Sequence, residues 1–183
     1  ALGGATVAAQ VIKTDRKLIA FTPRAFAQIE GSGGSVLPFE FDSPAPSVKV
    51  LEVRSKAGDM VDIQAAERLV IVGQGVENQE DLSFVEQIAG LWGAEIACSK
   101  PVASDKKWLS EERIVGLSGK ICKPEAAIIL GVSGQVQFTV GVREARVIFS
   151  INNDENAYMN KISDYILVAD LKNALPELAK ALA

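Results

Sequence analysis

Residues 126–142 of the sequence read AAIILGVSGQVQFTVGV, and none of them carries a charge. The run AAIIL has the composition of a strand buried on both faces. The stretch GQVQFTVGV has about the length of a short helix, so the pattern predicts a strand, a glycine turn and a helix. Gly134 would let the backbone approach a ligand closely, and Ser133 would place a hydroxyl where the helix begins. On spacing alone, a tight joint packed under a sheet explains the glycine equally well.

Further apolar runs of this kind predict more strands: RLVIVG at 68–73, AEIACS at 94–99, ARVIFSI at 145–151 and YILVA at 165–169. The segment after RLVIVG predicts an amphipathic helix that Asn78 caps. Its inward face would be Leu82, Val85, Ile88, Ala89 and Trp92. Asp170 is predicted to cap a final helix that Pro176 divides or kinks. Strands that alternate with helices predict a doubly wound α/β fold, in which a mainly parallel, Rossmann-like sheet carries helices on both faces.

The first part of the chain has a different character. ATVAAQVI and KLIAFTP flank the charged segment KTDRK and predict a β-hairpin, and the Gly-, Pro- and Ser-rich stretch IEGSGGSVLPFEFDSPAPS predicts an irregular connector. VKVLEVR, which follows, has the alternation of a short strand. We therefore expect residues 1–47 to be the remnant of a missing N-terminal domain and residues 48–183 to form a domain of their own. The start at Ala1, within an apolar pattern, also suggests a fragment.

Composition excludes several classes of protein. The net charge is −4 and no basic stripe is present, which argues against a nucleic-acid partner. No apolar stretch approaches the roughly 20 residues of a membrane span. The sequence contains no histidine, so a His–Cys zinc site or a histidine-dependent nucleophile is not expected, and no pair of carboxylates suggests acid–base catalysis. Cys98 and Cys122 are expected to be buried, as suits a reducing, cytoplasmic environment.

Ligands of open α/β sheets lie at the carboxyl ends of the strands. The residues that follow the predicted strands are mostly small, hydroxyl-bearing or amide-bearing: Gly73, Gln74, Gly75, Ser99, Lys100, Ser133, Gly134, Gln135, Asn152, Asn153, Asp154 and Asp170. This chemistry suits a polyhydroxylated, phosphate-bearing and partly flat ligand. The loop RIVGLSGK at 113–120 would add backbone amides and the Ser118 hydroxyl. Neither that loop nor GQG at 73–75 matches the P-loop or the full GxGxxG fingerprint.

Several blocks of sequence together carry a family resemblance: ACSKPVASDKKW, RIVGLSGKI, ILGVSGQVQFTVGV, SINND and ISDYILVADL. Their order and spacing resemble the α subunit of electron transfer flavoproteins, and in particular its FixB-type branch. The resemblance covers residues 68–183, with residues 5–22 similar to the end of the family's N-terminal domain. It implies that residues 48–183 form an FAD-binding domain. It also implies a β subunit as partner, a dehydrogenase of the acyl-CoA type or another redox protein, and electron transfer without a catalytic residue.

The resemblance also implies cofactor-binding positions. Ser99 and Lys100 would lie by the isoalloxazine ring, and Ser118 would approach the ring nitrogen that is reduced. Residues 133–138 would surround the pyrimidine edge, the ribityl chain and the diphosphate, and Asn152 and Asp170 would hold the adenosine end. The complete implied set is Gln74, Ser99, Lys100, Val115, Gly116, Leu117, Ser118, Ser133, Gly134, Gln135, Val136, Gln137, Phe138, Asn152 and Asp170.

Three positions depart from the family pattern. Phe138 stands where a histidine is common, and phenylalanine neither donates a hydrogen bond nor takes up a proton. Gln74 and Lys100 stand where arginines are usual, which removes one cation and replaces another by a point charge. We expect bound FAD to have a lower reduction potential or a less stable one-electron-reduced form. The alternative is a domain that has lost FAD and binds a nucleotide such as AMP, or serves only in assembly.

Overall fold

The computed structural model describes residues 8–21, 26, 29, 31, 33–35, 37–42, 48–52 and 61–183. The chain divides into two compact units, one comprising Ala1–Gln10 and Gly58–Ala183 and the other Val11–Ala57. Every helix and strand of the described residues lies in 61–183. The fold, the cores and the crevice discussed below all belong to that segment.

The predicted hairpin is wrong for the part of it that the structure describes. Residues 8–21 contain no strand, and Thr14 Oγ1 donates a hydrogen bond to the Arg16 carbonyl at 2.8 Å, where the turn was predicted. Residues 48–52 of VKVLEVR form no strand either, with Leu51 89% exposed. The rest of both segments lies outside the described residues. An isolated hairpin is at best marginally stable in water, so alternation alone does not form one.

The second part of the chain forms a single open sheet. Its strands are β1 (Arg68–Val72), β2 (Glu95–Cys98), β3 (Ala126–Leu130), β4 (Ile148–Asn152) and β5 (Tyr165–Val168). The helices are α1 (Leu82–Trp92), α2 (Lys100–Ser104), α3 (Val136–Thr139), α4 (Tyr158–Lys161) and α5 (Leu171–Leu182), with 3-10 turns at Gln79–Asp81 and Glu111–Arg113. All strand pairs are parallel, in the order β2-β1-β3-β4-β5. The predicted α/β fold class is confirmed.

A hydrophobic core lies on each face of the sheet. One core joins alternate residues of β1 and β3 to α1 and α5, and its fully buried side chains include Val70, Val72 and Ile88. The other joins the opposite residues of the strands to α3 and α4, with Ile129 and Met159 fully buried. Each fully buried aliphatic side chain contributes roughly 1.5–3 kcal/mol of transfer free energy. The sheet is therefore held from both sides, as the continuous apolar strands predict.

Helix α1 buries the predicted face but begins differently. Val85, Ile88 and Ala89 are buried, and Leu82 and Trp92 pack against the same core. The predicted cap is wrong, because Asn78 precedes a 3-10 turn and makes no side-chain cap bond. Its Nδ2 instead donates to Asp81 Oδ2 at 3.4 Å.

Helix α5 begins as predicted and continues through its proline. The Asp170 carboxylate accepts a hydrogen bond from the Lys172 N–H at 2.8 Å, which confirms the cap. Pro176 lies inside the helix without dividing it. Leu175 and Ala179, before and after the proline, are 1% and 2% exposed. Burial of both turns in one core outweighs the backbone hydrogen bond that proline removes.

Strand β5 closes one edge of the sheet and is exposed along its length, from Tyr165 at 61% to Val168 at 53%. The Tyr165 ring stacks on Phe149 of β4, with centroids 4.8 Å apart.

Throughout the described residues, none of the helices has both the length and the apolar character needed to cross a bilayer.

Candidate functional site

The crevice lies where the strand order reverses. β1 is flanked by β2 on one side and by β3 on the other, so the connections after β1 and β3 leave in opposite directions. This is the position at which open α/β sheets form their ligand sites. The predicted edge of the sheet is therefore the one that opens into a cavity.

Glycines let the loops that follow β1 and β3 approach each other closely. Gly75 N donates to the Gly131 carbonyl at 2.9 Å. A Cβ on Gly131 would lie 2.7 Å from Gly75 Cα, and Gly131 has a positive φ of 62°. Side chains at either position would push the two loops apart, because the contact is between backbones.

A cavity of about 890 Å³ occupies this edge of the sheet. That volume is within the range of about 300–1,000 Å³ typical of small-molecule and cofactor sites. The lining residues come from the segments that follow β1, β2, β3 and β4, including parts of α2 and α3, and from the 115–118 loop: Gln74, Gly75, Ser99, Lys100, Pro101, Asp105, Val115, Leu117, Ser118, Gly131, Val132, Ser133, Gln135, Gln137, Phe138, Asn152, Asn153, Asp154 and Ala157.

Most of the residues implied by the family resemblance line this cavity. Asp170 instead lines a smaller cavity of about 90 Å³, together with Glu77, Asn78 and Lys172, and the two cavities share Gly75, Gly131 and Asn153. Gly116, Gly134 and Val136 do not line either cavity. Cofactor contact by any of these residues remains a prediction.

The 115–120 loop and the α3 segment form one wall. Val115 N donates to Cys98 O at 2.9 Å, and Leu117 N donates to Gln137 O at 2.7 Å. Gly116 has a φ of 132°, and a Cβ there would lie 2.6 Å from Gln137 O. Gly116 therefore brings the two loops together, which explains its place in the motif without direct contact with the cavity.

Gly134 joins the turn after β3 to the start of α4. Its φ is +86°, and an added Cβ would overlap the backbone nitrogen of Met159 and lie 2.7 Å from Met159 Cα. Met159 N donates to Ser133 O at 3.2 Å. The start of α4 thus packs on the turn after β3, and the glycine permits that approach.

Two buried asparagines hold the loop after β4. Asn152 donates through Nδ2 to Val132 O at 2.9 Å and accepts from Asp154 N at 3.0 Å. Asn160 accepts from Ser150 Oγ at 2.8 Å and donates to the carbonyls of Asp154 and Glu155 at 3.1 and 3.2 Å. Asn152 therefore connects the ends of β3 and β4, a role beyond the ligand contact implied for it.

The lining combines hydroxyl-bearing and apolar side chains. Hydroxyls come from Ser99, Ser118 and Ser133, whereas Val115 and Phe138 supply apolar surface. Phe138 is 8% exposed and belongs to the core that contains α3 and α4. Such a set fits a flat ring with polar edges joined to a hydroxyl-rich chain, and FAD has these features.

Sequence reasoning missed part of the lining. Pro101 and Asp105 belong to α2 and its carboxyl end. At five residues this helix is too short for an apolar periodicity, and Ser99 followed by a proline in the first turn was the signal that could have identified it. Val132 and Ala157 are apolar residues in loops. In the sequence, an apolar loop residue that packs in the core cannot be told from one that contacts a ligand. Asn153 and Asp154 were not missed, since both were named among the residues that directly follow a predicted strand.

The pKa of the Cys98 thiol is raised from 9.0 to about 12 by burial, against the opposing influence of the Arg113 guanidinium. Above about pH 9 the unfolded thiol ionises while the folded thiol stays protonated, so the free energy of unfolding should fall as the pH rises. One such group contributes a loss of about 1.4 kcal/mol per pH unit above that point. Urea unfolding of the parent and Cys98→Ala between about pH 8 and about pH 10 measures it. Equal pH dependence in both proteins would contradict this assignment.

Two comparisons with known proteins find similarity to the same family. Residues 62–143 match the model of the electron transfer flavoprotein FAD-binding domain. Protein FixB from Escherichia coli O127:H6 (strain E2348/69 / EPEC) is 35% identical over 184 aligned residues, which cover 99% of this chain and 59% of the relative. FixB from Escherichia coli (strain K12 / DH10B) gives the same values. The chain thus spans about 59% of the length of these relatives.

A solved structure of a protein from Mycobacterium smegmatis aligns with this chain at a TM-score of 0.39 and 16% identity. The alignment covers 64% of this chain and 25% of the chain in that structure. That similarity is too low to carry an argument. The FixB relatives, in contrast, align with 99% of this chain, and the family match covers the lining residues as far as Phe138. The resemblance identified from the sequence is confirmed: the chain is similar to FixB proteins over 99% of its length, and residues 62–143 match the electron transfer flavoprotein FAD-binding domain.

Proposed function

We propose that residues 61–183 bind one FAD in the crevice and act as an electron carrier, the α-type component of an electron transfer flavoprotein. FAD supplies the electron-transfer chemistry when bound, and the chain binds it, orients it and limits its contact with water. The observation that carries the proposal is the extended cavity at the strand-order reversal. Most residues implied by the family resemblance line it.

The lining divides into parts that suit different parts of FAD. Val115, Leu117 and Phe138 offer apolar surface to the ring system, and the Ser118 hydroxyl lies in the same loop as Leu117. Ser99 and Lys100, after β2, offer a hydroxyl and a cation to the ring's polar edge. Asp170, in the smaller cavity, offers a carboxylate to a ribose hydroxyl.

We further propose a β-type subunit and a dehydrogenase as partners, with the cytoplasm as the location. Leu117, in the 115–120 loop, and Val136, at the start of α3, are 67% and 56% exposed. Burial of such apolar surface gains about 25 cal/mol per Å², so a protein surface over these loops would be stabilised there. A covering subunit would also keep water from the flavin.

The experiment is a visible absorption spectrum of the purified chain after incubation with FAD and removal of free flavin. We expect flavin bands at close to one FAD per chain. Gln135→Trp, which adds bulk at the cavity wall, should lower that ratio strongly, whereas Gln87→Trp on the exposed face of α1 should not. Absence of flavin bands from the parent at saturating FAD, or equal loading of both variants, would contradict binding in this crevice.

A further inference from the structure

We infer that Lys106, which does not line the crevice, is a positioning residue for the loop at residues 73–77, termed here the β1 loop. Lys106 Nζ donates to the Val76 carbonyl at 2.6 Å and lies 3.3 Å from the Gln74 carbonyl. The same ammonium is 4.1 Å from the centroid of the Trp108 ring. One cation therefore joins the loop after β1 to the segment after α2. The inference rests on the proposed binding of FAD.

The ammonium is presented from a fixed backbone. Asp105 N and Lys106 N both donate to Pro101 O at 3.0 Å, and Trp108 N donates to Val102 O at 3.1 Å. Lys107, between them, has a φ of +55°, which turns the chain back on α2. Trp108 packs against the core formed with α1 and α5. Because the indole face attracts the cation, the Lys106 side chain is held over the β1 loop.

Two peptide planes of the β1 loop are fixed by this arrangement. A trans peptide is planar, and its N–H points opposite to its C=O. With the carbonyls of Gln74 and Val76 directed at Lys106, the N–H groups of Gly75 and Glu77 are directed away from it. Gly75 N accordingly meets Gly131 O at 2.9 Å. Glu77 lines the smaller cavity.

The charge of Lys106 also suits an anionic ligand. Lys100 is the single basic side chain lining the larger cavity in the described part of the chain, where Asp105 and Asp154 are acidic. Lys106 places a second positive charge behind the β1 loop. A cation on a carbonyl polarises the peptide and strengthens its N–H as a donor. Since Gly75 N already donates to Gly131 O, the Glu77 N–H is the group of the β1 loop that would attract a phosphate-bearing cofactor, without a cation in contact with the ligand.

Three variants separate positioning from charge. Lys106→Met removes the cation, Lys107→Met removes the same charge one residue later at an exposed side chain, and Lys106→Arg keeps the charge at the site. FAD affinity is measured by titration, and amide hydrogen exchange of residues 73–78 is measured without flavin. We expect Lys106→Met to weaken FAD binding about tenfold or more and to speed exchange in the β1 loop. Lys107→Met should match the parent in both, and Lys106→Arg should recover part of the affinity.

The outcomes distinguish this inference from the proposed function. If the parent binds no FAD, the proposed function fails, and the positioning role fails with it. If the parent binds FAD and Lys106→Met binds equally well, the positioning role is wrong while FAD binding stands. Unchanged exchange in Lys106→Met would show that the lysine does not hold the β1 loop. Equal losses in both methionine variants would assign the effect to net charge and overturn the role of position.

Discussion

Gly134→Ala is expected to destabilise the protein by about 3 kcal/mol and to abolish FAD binding. The left-handed φ of +86° costs about 1–2 kcal/mol for an L-residue. The new Cβ would also overlap the backbone of Met159, which cannot move without displacing α4. Thermal unfolding and FAD titration measure the two effects.

Gly90→Ala is the matched control. Nothing lies within 4 Å of a Cβ at Gly90, which is in the interior of α1. Alanine should stabilise that helix by roughly 0.5–1 kcal/mol, so the same substitution should have opposite signs at the two positions. A Gly134→Ala protein that melts with the parent and binds FAD would refute the described packing of α4 on the turn after β3.

Asn160→Leu is expected to destabilise the protein by about 2–4 kcal/mol and to weaken FAD binding. The change leaves Ser150 Oγ without its acceptor and the carbonyls of Asp154 and Glu155 without their donor. Asn160 is 5% exposed, so water does not readily replace these bonds. The loop that carries Asp154 into the cavity should then move. Urea unfolding gives the free-energy change.

Asn156→Ala provides the comparison, since Asn156 lies in the same loop with an exposed side chain. It should change the free energy of unfolding by less than about 0.5 kcal/mol. Ser150→Ala should fall between the two, because it leaves only one acceptor of Asn160 unpaired. A Ser150→Ala effect as large as that of Asn160→Leu would show that the network depends on the serine more than on the loop carbonyls.

Local sequence patterns predicted the strands and helix ends that depend on neighbouring residues in the chain. The apolar runs at 68–73 and 126–130 identified β1 and β3, and Asp170 before an amphipathic segment identified the start of α5. The edge of the sheet that opens into the crevice followed as well, because parallel strands place their carboxyl ends together.

Contacts between distant residues escaped sequence reasoning. Lys106 meets carbonyls 30 and 32 residues away, and Ser150 meets Asn160 across a loop. Pro176 is accommodated by burial on both sides, which its own segment does not reveal. The alternation in residues 8–21 looked like a hairpin, but a strand needs a partner to satisfy its backbone groups.

The backbone contact between Gly75 and Gly131 also determines the order in which parts of the fold can form. The contact joins positions far apart in the chain. Closing so large a loop costs conformational entropy before the contact can stabilise the fold. The crevice cannot exist until β1 and β3 have paired, which requires synthesis to have passed residue 131. A ligand that needs both loops binds only to molecules that have folded this far, and its binding then draws the population toward the native state.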